Sequence, residues 1–341
     1  MLVAVLFAIL GFGFLIIIHE SGHFLVARAF GIQADEFAIG MGPKVFSQTW
    51  GRTQFSLRAI PIGAFVMIEN PEKYEVNGIE PSSAHPYLDA PTWKRFFISA
   101  AGPFFNFLLA SLILILIGFM SGIPSNEPIV GALLPEGVAE SAGLLPGDRI
   151  LSINQVQIQV WNDISALIGP ASGEQITILV LREGQEKTFT MIPKDNSEGR
   201  GVIGISGSVK RFALWGSIQN GIVQTGQFIS ETIYGFSHLF QKDALNSFMG
   251  PIGIVSITGQ VAQTGFSNFI WFISYLSVNL GIVNLLPIPA LDGGRLAFLL
   301  IEMIRGKKMN EKIESVISSV GFALIIGIIL LVSFRDIMQL R

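Results

Sequence analysis

The sequence contains no cysteine among its 341 residues. Disulfides, thiolate metal ligands and cysteine nucleophiles are therefore excluded, while either redox compartment remains compatible with the chain. Charge is scarce as well, since Asp, Glu, Lys and Arg make up 14% of the residues, against roughly 25% in soluble domains. Half of the chain is hydrophobic and its mean hydropathy is +0.57. This composition predicts an integral membrane protein.

The chain also lacks an excess of basic residues. Its formal net charge of −3 gives no indication of a nucleic-acid partner. The amino-terminal region lacks the basic start and the small-residue cleavage site of a signal peptide. We therefore expect the first apolar run to be retained as a membrane span.

Two histidines stand four residues apart where this first apolar run ends, in the motif His19-Glu20-Ser21-Gly22-His23. Positions i and i+4 lie on one face of a helix, so both imidazoles could bind one Zn²⁺. Glu20 would then take a proton from a metal-bound water. The alternative interpretation is a chance match on a core helix. Ionisable groups inside an apolar span are costly, which favours the functional interpretation.

Hydropathy predicts four spans, at residues 2–27, 96–120, 268–286 and 316–334. Lys and Arg concentrate at 28–95 and 305–312, which marks both segments as cytoplasmic. Both termini are then expected outside the cytoplasm. By the same topology the histidine pair and Asp292 lie near the cytoplasmic face.

The segment after the first span predicts two short strands, 45–49 and 53–60, joined by a turn at Trp50-Gly51-Arg52. Residues 60–68 are too apolar for an ordinary loop, and we expect them to dip into the membrane. His85 is expected to be solvated in a polar loop. Gly102-Pro103 is expected to interrupt the second span, with Asn106 either pairing with freed backbone groups or serving structurally at a kink.

Residues 127–195 have the composition of a soluble domain. Their run from Ala142 to Asn154, with its Pro-Gly-Asp turn, resembles a PDZ domain of the circularly permuted sort found in bacterial proteases. Residues 212–240 predict an amphipathic helix on the membrane surface, with His238 near its end. The expected domains are 1–122 with the first two spans, 123–200 as the PDZ domain, 201–250 as membrane-surface helices, and 251–341 with the last two spans.

A zinc hydrolase site needs three protein ligands and an open position. Asp292, in the run Leu291-Asp292-Gly293-Gly294, is the remaining carboxylate expected at the depth of the histidines. Asp-Gly-Gly on its own more often marks a turn. The histidine pair at matching depth favours the ligand.

Together these motifs resemble the site-2 protease family of intramembrane zinc metalloproteases (peptidase family M50), in its bacterial form with an inserted PDZ domain, over nearly the whole chain. The residues that carry the resemblance are the histidine motif, the 60–68 segment, Gly102-Pro103 with Asn106, the PDZ-like unit, Gly250-Pro251-Ile252-Gly253, and the run from Asn284 through Pro287 to Gly294. The histidine motif is moderately specific, and its combination with the later run is highly specific.

The resemblance implies a polytopic α-helical membrane protein with four spans, a membrane-re-entrant β-element and an extracytoplasmic PDZ domain, in the bacterial inner membrane. It implies that His19, His23 and Asp292 bind one Zn²⁺ and that Glu20 is the catalytic base and acid. It also implies substrate contacts at Asn279, Asn284, Pro287, Ile60 and Gly63. The expected partners are the lipid bilayer and single-span membrane proteins already trimmed by another protease, such as an anti-sigma factor or a signal-peptide remnant.

Two features depart from the family pattern. Ala64, Phe65 and Met67 stand where the family β-element usually carries Gly, Tyr and Lys, and the chain has a single PDZ-like unit. A second hypothesis is a membrane-anchored PDZ adaptor with an inert metal site. Zinc content together with cleavage of a transmembrane peptide separates the two hypotheses.

Overall fold

The structure is a computed structural model that describes residues 2–68, 87–135, 137–196, 199–237 and 250–339. Its chain divides into two compact units, one formed by Met1–Ile115 with Gln219–Arg341 and the other by Leu116–Ile218. The predictions for His85 and His238 concern residues outside the described ranges.

Long apolar helices make up most of the first unit. The helices that lie wholly or mostly in it are α1 (Leu2–Ala29), α2 (Thr92–Met120), α5 (Leu214–Ser237), α6 (Pro251–Gln263), α7 (Phe266–Leu285), α8 (Asp292–Arg305) and α9 (Glu311–Gln339). Among the described residues four helices are long and apolar enough to cross a membrane: Val5–Ala29, Thr92–Met120, Phe266–Leu285 and Lys312–Met338. Each of the four predicted spans corresponds to one of these candidate helices, with ends shifted by a few residues.

A β-hairpin follows α1. Its strands, β1 (Glu36–Trp50) and β2 (Thr53–Met67), are joined at the predicted turn, where Trp50 pairs with Thr53. Both strands are longer than predicted. The apolar residues 60–67 are not a loop but the second half of β2, where residues 64–67 pair with residues 36–39. Segment 60–68 is therefore mostly strand, and its backbone groups on one side are bonded to β1.

The α2 helix runs without a break through Pro103, so the predicted interruption is wrong. A proline inside a helix removes one backbone hydrogen bond, which costs stability but need not end the helix when neighbours pack on it. Gly22 of α1 lies close to this region, because a Cβ on it would stand 2.5 Å from the Ala101 carbonyl oxygen. The two helices thus meet through small residues, as membrane helices commonly do.

The predicted helix at 212–240 is confirmed as α5, but its contacts correct the predicted place on the membrane surface. Thr225 hydrogen-bonds Ser111 in the middle of α2 at 3.0 Å. Further along, Thr232 donates to Asn279 Oδ1 of α7 at 3.3 Å, and Phe228 packs edge-on against Trp271. From Gln219 onward, α5 therefore packs along two candidate spans.

The α6 helix was not predicted, and a buried carboxylate holds its start. Asp336 of α9, 5% exposed, accepts hydrogen bonds from the backbone N–H groups of Gly250 and Gly253. A carboxylate at this end also complements the helix dipole. The run beginning at Gly250 thus fastens α6 to the last span.

Residues Leu116–Ile218 form the second unit, called here the inserted domain. Its short elements are β3 (Ile123–Pro124), β4 (Val130–Leu133), α3 (Val138–Ser141), β5 (Arg149–Ile153), β6 (Val156–Gln157), α4 (Trp161–Ile168), β7 (Ile176–Arg182), β8 (Gln185–Met191), β9 (Lys194–Asp195), β10 (Gly201–Val202), β11 (Ile205–Gly207) and β12 (Val209–Lys210). The main sheet has the strand order β6-β5-β7-β8. Since β11 pairs with β4 and β12 with β3, the predicted domain end at residue 200 is too early.

An ion pair ties this domain together beside its apolar core. Asp148, 1% exposed, accepts two hydrogen bonds of 2.7 Å from Arg182 and one of 2.9 Å from the Leu145 N–H. Burial alone would raise the pKa of Asp148, but the Arg182 guanidinium and the Leu145 N–H outweigh it and hold this pKa below its usual range. The carboxylate therefore stays ionised and keeps the pair.

Candidate metal centre

The structure brings together the three predicted metal ligands from helices far apart in sequence. His19 and His23 lie one turn apart on α1, and Asp292 is the first residue of α8. His19 Nε2 lies 2.9 Å and His23 Nε2 3.4 Å from Asp292 Oδ2, and the two Nε2 atoms are 3.2 Å apart. Three ligand atoms therefore converge on one point.

These separations fit a zinc ion. Ligands at 2.0–2.1 Å in tetrahedral coordination are about 3.3 Å from each other. The three observed distances, 2.9 to 3.4 Å, bracket that value. Two nitrogens and one carboxylate oxygen are also a donor set of catalytic zinc, with the fourth position left for water.

The hydrogen bonds at Nδ1 of His19 and His23 decide whether each Nε2 is free to bind zinc. His23 Nδ1 lies 2.7 Å from the Ile98 carbonyl oxygen, so Nδ1 carries the proton and Nε2 keeps its lone pair. His19 Nδ1 lies 3.1 Å from the Asn106 side-chain amide. Among the described residues, the Oδ1 atom of this fully buried Asn106 has no hydrogen-bond partner. A half-turn of the amide lets Oδ1 accept from His19 Nδ1–H, which frees Nε2 for a metal.

Glu20 projects beside the two histidines and is held by the hairpin. Its Oε2 accepts a hydrogen bond of 3.1 Å from the backbone N–H of Val66 in β2. This N–H therefore points away from β1 and towards α1. The carboxylate that follows the first histidine is thus oriented by a residue 46 positions later in the chain.

Close backbone packing places Asp292. A Cβ on Gly293 would lie 2.2 Å from the Leu286 carbonyl oxygen, and one on Gly294 would lie 2.4 Å from that of Ile288. Only glycine fits at either position, since real Cβ contacts are longer than 3.0 Å. The two glycines let α8 start directly against the turn that ends α7. The Asp-Gly-Gly run is therefore both a tight packing element and the carrier of the carboxylate.

The other end of α8 is fastened to α2. Glu302, 7% exposed, forms an ion pair with Arg95 and accepts a hydrogen bond of 2.9 Å from Thr92. The same α2 segment supplies the Ile98 carbonyl to His23. Both α1 and α8 therefore bind to the same segment of α2. These contacts position Asp292 relative to the two histidines.

A cavity of about 310 Å³ opens beside the three ligands. Besides the ligands and Glu20, it is lined by Val66, Tyr87, Ser99, Asn284 and Arg295, among others. Asn284 is thus the one predicted substrate-contact residue found in the described lining. The other four predicted contacts, Asn279, Pro287, Ile60 and Gly63, are not part of it.

Sequence reasoning missed several groups around the metal point. The Val66 N–H and the Ile98 carbonyl are backbone atoms, which carry no residue-type signal. The sequence predicts Asn106 as a partner for freed backbone groups or as a structural residue at a kink, and not as a partner of His19. Gly102 was noticed as part of a kink, whereas its lack of a side chain gives room to the histidines. A polar residue inside an apolar helix was the only available signal.

The chain is similar to known zinc metalloproteases over nearly its whole length. A family model described as peptidase family M50 matches residues 7–328. The zinc metalloprotease RasP of Geobacillus kaustophilus is 33% identical over 96% of each chain. The regulator of sigma-W protease RasP of Bacillus subtilis is 33% identical over 96% of this chain and 97% of its own. A putative zinc metalloprotease of Fusobacterium nucleatum is 36% identical over 98% of each chain.

Among solved structures, the crystal structure of the PDZ domain of an SdrC-like protein from Listeria monocytogenes matches with 16% identity and a TM-score of 0.22. This match covers 24% of the present chain and 88% of that one.

Proposed function

This chain belongs to peptidase family M50 and is a multi-pass membrane zinc metalloprotease, and we propose that it cleaves single-span proteins within their membrane-spanning segments. The observation that carries the proposal is the placement of the site. His19, Glu20 and His23 lie on an apolar helix that is long enough to cross a membrane, at the point where Asp292 meets it. A hydrolytic site in this position faces peptide bonds that lie within the bilayer.

We assign His19, His23 and Asp292 as the zinc ligands. When bound, the ion supplies a Lewis acid that activates water and polarises the peptide carbonyl. Glu20 takes the proton that water loses and passes it to the nitrogen of the breaking peptide bond. The Val66 N–H keeps the Glu20 carboxylate facing the cavity, while Ile98 and Asn106 fix the two imidazole rings.

The distribution of Lys and Arg supports an active site near the cytoplasmic face of a bacterial inner membrane, with both termini and the inserted domain outside. We propose that the inserted domain is of the PDZ type. The assembled ligands and Glu20 speak against an inert adaptor. The name of the Bacillus subtilis relative, a regulator of sigma-W protease, supports a regulatory membrane protein such as an anti-sigma factor as substrate.

We test this function with the full chain reconstituted in liposomes together with a model single-span substrate, made with and without a folded outer domain. We expect cleavage inside the apolar segment of the trimmed substrate, located by mass spectrometry, and little cleavage of the untrimmed one. Cleavage only in the soluble flanks would contradict the proposal.

A matched variant tests whether the inserted domain excludes bulky substrates. Residues 123–210 are removed together, because β3 and β12 pair at the two ends of this segment. Size exclusion predicts that this variant cuts the untrimmed substrate as well. Recognition of a new C-terminus predicts instead that the variant cuts the trimmed substrate more slowly.

We further propose that β2 holds the substrate as an added strand. Residues 64–67 pair with β1 on one side, and the Val66 N–H points to the other side, at the cavity. Strand groups alternate in direction, so the backbone of Ala64 faces the same way. We propose that an unwound substrate segment pairs with the Ala64 backbone groups of this edge, since the Val66 N–H is already bonded to Glu20. This pairing presents the peptide bonds of the substrate to the metal centre.

N-methylation of the substrate backbone tests this pairing without altering the enzyme. We expect methylation at every second residue near the cut to remove one hydrogen bond to β2. Each such loss should slow cleavage by about two- to tenfold. Peptides methylated at the intervening positions are the matched controls and should be cut normally. If methylation slows cleavage equally at alternate and intervening positions, strand addition is excluded.

A further inference from the structure

Arg295 carries a positive charge into the catalytic cavity. It lies three residues after Asp292 on α8, and its guanidinium carbon is 4.7 Å from the centre of the Tyr87 ring. Tyr87 in turn lies 3.4 Å from Ser99 through their hydroxyl oxygens. In the part of the chain that the structure describes, Arg295 is the one Lys or Arg that lines this cavity.

No carboxylate of the described residues forms an ion pair with Arg295. The contrast with other arginines of the same unit is clear, because Arg58 pairs with Glu36 and Arg95 with Glu302. The aromatic face of Tyr87 orients the guanidinium without neutralising it. Its donors thus remain available to an anion.

Arg295 also lines a second cavity. This second cavity, of about 400 Å³, shares Ala290, Leu291, Asp292 and Arg295 with the first, and adds Phe298 of α8 with Glu314, Ser315 and Ser318 of α9. Its lining contains hydroxyl and carboxyl groups, which suit hydration. An anionic group formed at the metal centre shares the first cavity with Arg295.

Hydrolysis creates such a group. Water adds its oxygen to the carbonyl carbon, the C–N bond breaks, and the nitrogen receives a proton, so that one fragment ends in an amine and the other in a carboxylate. The formal charges of Zn²⁺, Glu20 and Asp292 add to zero, so Arg295 supplies the net positive charge of the described cavity lining. A guanidinium fork matches a carboxylate with two parallel hydrogen bonds.

We propose that Arg295 is a product-binding residue that receives the newly formed C-terminal carboxylate of the fragment on the carbonyl side of the cut. This inference rests on the proposed function, because it presumes peptide hydrolysis at the metal centre. It assigns to Arg295 a role in the reaction that neither the histidine motif nor Asp292 performs.

The test measures direct binding of a product peptide, so that it does not depend on cleavage. A fluorescent peptide with an apolar segment is made with a free C-terminal carboxylate or with a C-terminal amide. Its dissociation constant for the zinc-loaded full chain in detergent is measured by anisotropy. We expect the wild-type chain to prefer the carboxylate form, and Arg295→Ala to lose about ten- to a hundredfold of this preference.

Two variants serve as comparisons, and zinc content is measured in all of them. Arg295→Lys should keep part of the preference, since an ammonium supplies charge without the planar fork. Arg305→Ala, in the last turn of the same helix, should keep all of it. An unchanged carboxylate preference in Arg295→Ala overturns the proposal, and so does a loss of zinc in this variant. Failure of the wild-type chain to cut any membrane segment refutes the proposed function separately.

Discussion

Gly102→Ala is expected to abolish zinc binding and with it all peptide hydrolysis. A Cβ at Gly102 would stand 2.3 Å from His23 Nε2 and 2.7 Å from His19 Nε2. Both distances are below the 3.0 Å that real Cβ contacts respect, so the methyl group would push the two ligand nitrogens out of the positions from which they reach the metal. Both rings are held from behind by Ile98 and Asn106 and have little room to retreat.

The expected loss is specific to this position, because alanine normally favours a helix over glycine by about 1 kcal/mol. Gly13→Ala is the matched control, since Gly13 lies on α1 and an added Cβ meets no atom of the described residues within 4 Å. Zinc per chain is measured by elemental analysis of the purified variants, with helicity checked by circular dichroism. A Gly102→Ala chain that is folded and carries one zinc would show that the ligands lie elsewhere.

Glu20→Gln is expected to lower the rate of cleavage by about a hundred- to ten-thousandfold, the usual contribution of a general base or acid. Glutamine keeps the size of the side chain and an oxygen that accepts from the Val66 N–H. It has no basic oxygen to collect a proton. The variant should therefore bind zinc and substrate normally while the chemical step fails.

Single-turnover cleavage of a transmembrane peptide measures this rate, and elemental analysis measures bound zinc. Ser21→Ala is the neighbouring control, because within the described part of the chain the Ser21 hydroxyl bonds the Ile17 carbonyl of its own helix and no other group. This variant should cleave at nearly the wild-type rate. If Glu20→Gln cleaves within a few-fold of the wild type, another group transfers the proton.

The 60–68 segment shows how a correct local observation led to an incomplete structure. Its apolar character was evident, but the pairing of residues 64–67 with 36–39 joins parts of the chain that are distant in sequence. Hydrophobicity does not encode this register. Ile60 and Gly63 were accordingly expected at the substrate, whereas Val66 reaches the cavity.

The α5 helix shows the same limit in a different form. Its polar residues are unusual for a membrane span, and the sequence therefore predicts a helix that lies on the membrane surface. The contacts of Thr225 with Ser111 and of Thr232 with Asn279 satisfy part of this polarity against neighbouring helices. Composition records that a side chain is polar, but only packing shows whether water or another helix receives its hydrogen bond.

The sequence by itself determined the four candidate spans and the pairing of His19 with His23 on one helical face, because both follow from residues that are neighbours along the chain. It also indicated Asp292, through the depth at which each motif leaves the membrane. Only the tertiary structure decided which atoms hold the centre in place: the Val66 N–H, the Ile98 carbonyl, the Asn106 amide and the bare backbone of Gly102. Their roles depend on how helices and strands from distant segments pack together. Neither the hydrophobic periodicity of the sequence nor its composition specifies that packing.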